Sequence, residues 1–197
     1  MISEVRLTSG SVLLRPIQLS DIGPMYEAVL ESIDDLSRWL AWCHPGYSLE
    51  ESATWVQTLQ AAWANGSEYS FAITNAADGT YLGTIGLNRI DPIHRWANLG
   101  YWVRSSQTNK GVATASALLV ARFAFERLKL NRIEIVISVK NTSSLRVAEK
   151  IGAAQEGLLR SKVVAHGEVH DAVMFSLIPQ DFVENPKGRG STLTSGT

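Results

Sequence analysis

The chain has a single cysteine, Cys43, so it can form no internal disulfide, and that usage fits a reducing compartment. Charge is also scarce. Charged residues make up 19% of the 197 and the formal net charge is −1, which leaves no basic field for nucleic acid; direct nucleic-acid binding is not expected. No apolar run approaches a membrane span, and the opening MISEVRLTSG lacks the basic-plus-apolar pattern of a signal peptide. These absences point to a cytoplasmic protein with no membrane partner. What is present is ordinary apolar content, 45%, enough for one substantial core. Residues 1–183 read as one domain without internal repeats. The stretch 184–197, rich in Gly, Ser and Thr, reads as a disordered tail.

Residues 4–7 and 11–15 alternate around Thr8-Ser9-Gly10 and predict a hairpin or a strand after a short turn, ended by Pro16. Ser20 or Asp21 can cap a helix carrying Met25, Ala28 and Val29, with helix continuing near Ser37–Trp42. Ser48-Leu49-Glu50-Glu51 is a capping box for a helix running to about Ala64, which Asn65-Gly66 stops. Strands follow at Tyr69–Thr74, Tyr81–Ile90 and Asn98–Val103. A helix from Gly111 to about Leu128 carries a small-residue stripe of Ala113, Ala117, Val120, Ala124 and Leu128. Ile133 to Val139 alternates as a strand, and Asn141 can cap a short helix ending at Lys150, with Gly152 as its stop. Final strands at 156–165 and 169–178 meet at His166-Gly167. This order predicts a mixed α/β (α+β) fold with a mostly antiparallel sheet and helices on both faces. The strands at 98–103 and 133–139, joined through a helix, should be parallel.

Chemistry concentrates at Gln107–Thr114, between a strand and the Ala-rich helix. A helix start exposes unpaired N–H groups and partial positive charge, both favourable to an anion. Gly111 lets backbone approach a phosphate and Lys110 adds charge, but the same residues also make a tight strand-to-helix turn. Local pattern alone does not choose between them. No Gly-Lys-Ser/Thr closes the segment, so it is not a Walker A loop.

Tyr101-Trp102-Val103 followed by Thr108-Asn109-Lys110-Gly111-Val112-Ala113-Thr114 resembles motif A of the GNAT acetyltransferase superfamily. Gly83 to Asp91, Asn141 to Gly152, Glu156-Gly157 and His170 to Met174 are similar, in order, to further motifs of its RimJ/RimL branch. The resemblance spans about Val12 to Phe182. Two positions depart from it: Thr108 stands where Gln or Arg is usual, and Ala153 where Phe is usual.

The resemblance implies a GNAT fold and acetyl-CoA as co-substrate. Its phosphates would sit on Thr108 to Thr114, and its pantetheine arm would lie where strands 98–103 and 133–139 splay apart, bonding backbone near Trp102 and Val103. Asn141 and Ser144 belong to the second cofactor motif, and no metal is implied. The tyrosine acid of many superfamily members is excluded, because Ala148 occupies its position. The RimL-like alternative is Ser144, as acid to the departing thiolate; its other reading is a hydroxyl that satisfies the helix start. Glu68 is the candidate base, or else a solvated surface carboxylate.

Adjacent Cys43-His44 reads as a buried, inert thiol beside an unrelated histidine. His166 and His170 flank a turn rather than sharing a helix face, which argues against metal ligation. Trp39, Trp42, Trp55 and Trp63 read as core, with the first two able to wall an acceptor groove. The expected reaction is acetylation of a protein N-terminal α-amine of the ribosomal-protein type. A small amine (polyamine, aminoglycoside or amino-acid derivative) and a non-catalytic acyl-CoA-binding module are the competing readings. A homodimer through a strand edge near 169–178 is a further expectation.

Overall fold

The computed structural model describes residues 5–184 and 193–195. Two strands, β1 (Val5–Ser9) and β2 (Val12–Pro16), lead through a 3-10 turn at Leu19–Asp21 into α1 (Ile22–Glu31), short α2 (Ile33–Leu36) and α3 (Leu49–Asn65). Strands β3 (Tyr69–Asn75), β4 (Tyr81–Asp91) and β5 (Trp96–Val103) follow, then α4 (Val112–Glu126) and β6 (Arg132–Ser138). The chain continues through α5 (Thr142–Lys150), β7 (Ala154–Ala165), β8 (Glu168–Leu177), α6 (Pro179–Glu184) and β9 (Leu193–Ser195).

The described strands form one nine-stranded sheet ordered β7-β8-β6-β5-β4-β3-β2-β1-β9. Every pairing is antiparallel except β5 with β6. This is the mixed, mostly antiparallel sheet that the alternation predicts. Along β3, Phe71 and Ile73 face one core with α4 and α5, while Ala72 faces a second with α1 and α3. The period of two along each strand therefore serves two cores at once. On α4, Ala117, Val120 and Ala124 are fully buried with Leu119, Ala121 and Phe123, so small residues bring the helix close to the sheet.

The caps act as their residue types suggest. Ser48 Oγ accepts from Glu51 N, Glu51 answers to Ser48 N, and Gly66 ends α3 in the left-handed conformation. Asn141 Oδ1 accepts from Ser144 N at 3.1 Å.

Several expectations change. Residues 37–42 are not helical: α2 stops at Leu36 and the chain turns, which frees Trp42 from helical spacing. β8 lies between β7 and β6 and has no free edge, so the edge expected near 169–178 does not exist and β7 holds that border. In the 184–197 stretch, Glu184 closes α6 and Leu193–Ser195 pairs with β1; residues 185–192 and 196–197 lie outside the described residues. No described helix is long and apolar enough to cross a membrane.

Candidate active site

At one end of β5 the chain makes a 3-10 turn at Ser105–Gln107 and then enters α4 through Gly111, whose φ is +80°. That backbone conformation suits only glycine without strain. No side chain caps α4. Ala115 N bonds to Gly111 O at 2.9 Å, so the N–H groups of Val112, Ala113 and Thr114 precede the first helical bond. A side chain built at Gly111 would meet nothing within 4 Å. An open, uncapped start on a fifteen-residue helix is the geometry a phosphate fits. Thr108 instead turns inward, its Oγ1 donating to Ser105 O at 2.9 Å. Asn109 is left-handed at φ +60°, and Lys110 Nζ reaches Gln107 Oε1 at 3.2 Å.

Four contacts strap this loop to α1 and α2. Arg104 Nη2 pairs with Glu31 Oε2 at 2.5 Å and Ser106 N donates to Glu31 Oε1 at 3.1 Å. Ser105 N donates to Ser32 Oγ at 2.9 Å, and Ser105 Oγ to Asp35 Oδ2 at 2.5 Å. The hydrogen bonds from Ser106 and Arg104 hold the Glu31 carboxyl below its ordinary pKa.

The β5–β6 pairing runs only from Trp96↔Arg132 to Asn98↔Glu134. Beyond it β6 pairs with β8 as far as Ser138, and β5 continues with β4 to Val103. The two strands therefore splay, and the facing backbone edges of Leu99–Val103 and Ile135–Ser138 are free of each other. An extended, amide-bearing ligand can complete such edges as a strand would. Ser144 stands in the first turn of α5, which packs over this gap. Asn141 performs the capping, so the Ser144 hydroxyl is not used for it. Tyr101, on the same side of β5 as Leu99, faces Ser144; burial pushes its pKa up and the Ser144 hydroxyl opposes the shift.

On the opposite face of β5 lies a cavity of about 450 Å³. Its floor is a row of small residues across three strands, Ser70↔Gly86↔Gly100. A Cβ at Gly86 would come within 2.7 Å of Ser70 Oγ and 2.9 Å of Tyr69 O, so that approach requires glycine. The walls are apolar: Met25, Val29 and Leu40, with Trp42, Trp55 and Trp102. Trp42 and Trp102 lie 6.3 Å apart, ring to ring. Polar groups are few. Glu68 accepts from Ser70 Oγ at 2.5 Å, and Asn88 beside it accepts from Asn98 Nδ2 at 3.0 Å. Glu51 completes the rim; hydrogen bonds from His44 and then Ser48 pull its pKa down.

The structure thus brings Glu68 to the cavity wall and Ser144 to the splay. It sets Thr108, Asn109, Lys110, Gly111, Val112, Ala113 and Thr114 around the α4 start, with Val103 at the end of β5. Trp102 turns its ring into the cavity, so its backbone alone faces the splay. Trp55, read as core, lines the cavity with Trp42, whereas Trp63 is core and Trp39 does not line the cavity. Cys43 is fully buried with its pKa raised by burial, and His44 bonds Glu51 at 2.9 Å rather than the thiol. His170 is buried 3.6 Å from Glu168 across a β-turn from His166. A place in the site for Tyr101, Ser70, Asn88 and Glu51 was not predicted from the sequence. The period-two alternation of Glu68 and Ser70, and of Gly86 and Asn88, is the signal that places them on one face.

The model of the acetyltransferase (GNAT) domain matches residues 11–154. The chain belongs to the GNAT acetyltransferase family, and it is an N-acetyltransferase. YdaF of Bacillus subtilis (strain 168), provisionally named a ribosomal N-acetyltransferase, is 29% identical over 177 residues, covering 87% of this chain and 93% of that protein. The spermidine N(1)-acetyltransferase of Escherichia coli (strain K12) is 24% identical over 192 residues, 96% of this chain and 98% of that protein. The solved structure of RimL, a ribosomal L7/L12 alpha-N-protein acetyltransferase in complex with coenzyme A, superposes with a TM-score of 0.81. It is 25% identical and covers 86% of this chain and 95% of that one.

Proposed function

We propose that this enzyme transfers acetyl from acetyl-CoA to the α-amine of a protein N-terminus, ribosomal proteins being the first candidates, and that it works in the cytoplasm. The N–H groups of Val112, Ala113 and Thr114, with Gly111 and Lys110, hold the phosphates; the free edge of β5 near Trp102 and Val103 holds the pantetheine amides. Bound there, acetyl-CoA supplies the activated thioester. Glu68 receives, directly or through water, the proton the attacking amine loses, and Ser144 donates to the departing sulfur.

The observation that carries the acceptor is the cavity itself: a tryptophan-walled chamber with Glu68 on its wall and Glu51 at its rim. It has room for a first residue and its backbone. A polycationic amine calls for carboxylates along its length, and among the described residues Glu51 and Glu68 are the carboxylates that line this cavity. Energetics agree. An α-amine of pKa ~8 is about one-tenth neutral at pH 7, against a few parts in ten thousand for a lysine-like amine of pKa ~10.4. Glu68, half-buried and bonded by the Ser70 hydroxyl, suits the smaller demand. Relatives named for ribosomal substrates support this reading, and the spermidine enzyme supports the alternative of a small amine.

The test is release of free CoA with a panel of short N-terminal peptides, polyamines, aminoglycosides and amino acids. Peptides should exceed polyamines in kcat/KM by tenfold or more; the reverse order refutes the acceptor assignment. Ser144→Ala should lower kcat at least tenfold with acetyl-CoA affinity little changed, and unchanged turnover removes Ser144 from the chemistry.

A further inference from the structure

The Tyr101 hydroxyl has no task in the fold. Its ring packs against the core on the α4 side, and its oxygen is buried with no hydrogen bond of full geometry among the described residues, the Ser144 hydroxyl being the side chain that acts on it. A buried polar group left unpaired destabilises a protein by about 1–3 kcal/mol, and native chains rarely retain one without a use. Its position suggests the use. Tyr101 lies three residues beyond the last β5–β6 pair, Asn98↔Glu134, so it stands at the open part of the splay. It also borders the cavity with Gly100 and Trp102, and its hydroxyl faces Ser144 in the first turn of α5. The residue is therefore where the sulfur between the two halves of the site must pass.

We propose that Tyr101 is a second hydroxyl donor to the sulfur that departs during acetyl transfer, acting beside Ser144. This rests on the assignment of Ser144 as acid. As the amine nitrogen bonds to the acetyl carbon, the carbon–sulfur bond breaks and its electron pair goes to sulfur. The nitrogen loses one proton and the sulfur gains one from Ser144, which is then reprotonated. Tyr101 keeps its proton throughout and contributes a preoriented O–H dipole. Two donors matter because a serine hydroxyl alone is a weak acid, whereas fixed dipoles aimed at developing charge act without reorganisation.

Tyr101→Phe separates this role from packing. The ring stays and only the unpartnered oxygen goes, so Tm should hold or rise. The kcat should fall about tenfold with acetyl-CoA affinity unchanged. A second readout needs no acceptor. If hydroxyls stabilise thiolate, CoA should bind increasingly better than desulfo-CoA as pH rises from about 7 to 9, through the usual thiol pKa of ~8.5. Tyr101→Phe should flatten that rise. Unchanged kcat, an unaltered pH rise, or a Tm lowered by several degrees would overturn the inference. A loss in Tyr101→Phe alongside a silent Ser144→Ala would refute the Ser144 assignment and, with it, a role for Tyr101 as the second donor beside it. Silence in Tyr101→Phe with a large loss in Ser144→Ala would uphold the Ser144 assignment and refute the role of Tyr101.

Discussion

At Gly100 the missing side chain is the function. A Cβ there would meet Asn88 Nδ2 at 3.8 Å and Asn98 Nδ2 at 4.0 Å, ordinary contact, so the backbone tolerates a larger residue while the cavity does not. Gly100→Val should raise KM for the amine at least tenfold with Tm and acetyl-CoA affinity nearly unchanged; equal loss of acetyl-CoA affinity would contradict the separation of the two halves. Ser144 was singled out by the family resemblance, and the structure adds that Asn141 caps α5 and leaves the Ser144 hydroxyl out of the cap. Tyr101 was not, since a tyrosine in an apolar strand resembles any core aromatic until its oxygen is found unpaired. Glu68 lay between: its residue type suggested a base, but only the pairing of β3 with β4 shows it sharing a face with Gly86 and Asn88.

Among the elements, β4, β5 and α4 were readable from periodicity and glycine placement, because alternation and capping are local. The splay was not local. It arises because β6 leaves β5 after Asn98↔Glu134 to continue with β8 alone, a competition no single strand sequence displays. The run 37–42 misled because apolar spacing there serves the cavity wall and not a helix face. The strap of Arg104, Ser105 and Ser106 onto Glu31, Ser32 and Asp35 joins α1 and α2, beside the tryptophan-walled cavity, to the loop that enters α4. Glu31→Ala should weaken acetyl-CoA binding about fivefold, the effect of losing ~1 kcal/mol, as read by calorimetry. Glu31 has a depressed pKa, so its tie is complete above the usual carboxylate value of ~4.3 and is lost as pH falls through the lowered one. The difference between wild type and variant should therefore shrink only on acidification.

Across the molecule, two cores lie on opposite faces of one sheet, α4 and α5 packing on one, α1 and α3 on the other; in the proposed function the first serves the cofactor and the second the acceptor. The Arg15–Asp21 pair fixes the second layer to the sheet. Its two bonds are both 2.6 Å, Asp21 also accepts from Gln18 N at 2.8 Å, and the aspartate is 5% exposed. Asp21→Ala would strand a half-buried guanidinium and should destabilise the protein by about 3 kcal/mol, measurable by urea unfolding; a loss under 1 kcal/mol would show the pair to be dispensable. The central claim concerns the amine that the assembled site accepts. Its most direct measurement is to offer acetyl-CoA and a peptide bearing both a free α-amine and an internal lysine, then to locate the acetyl group by fragment mass spectrometry. Acetyl is expected on the α-amine and none on the lysine. Acetyl found on the lysine side chain, with the α-amine free, would contradict it.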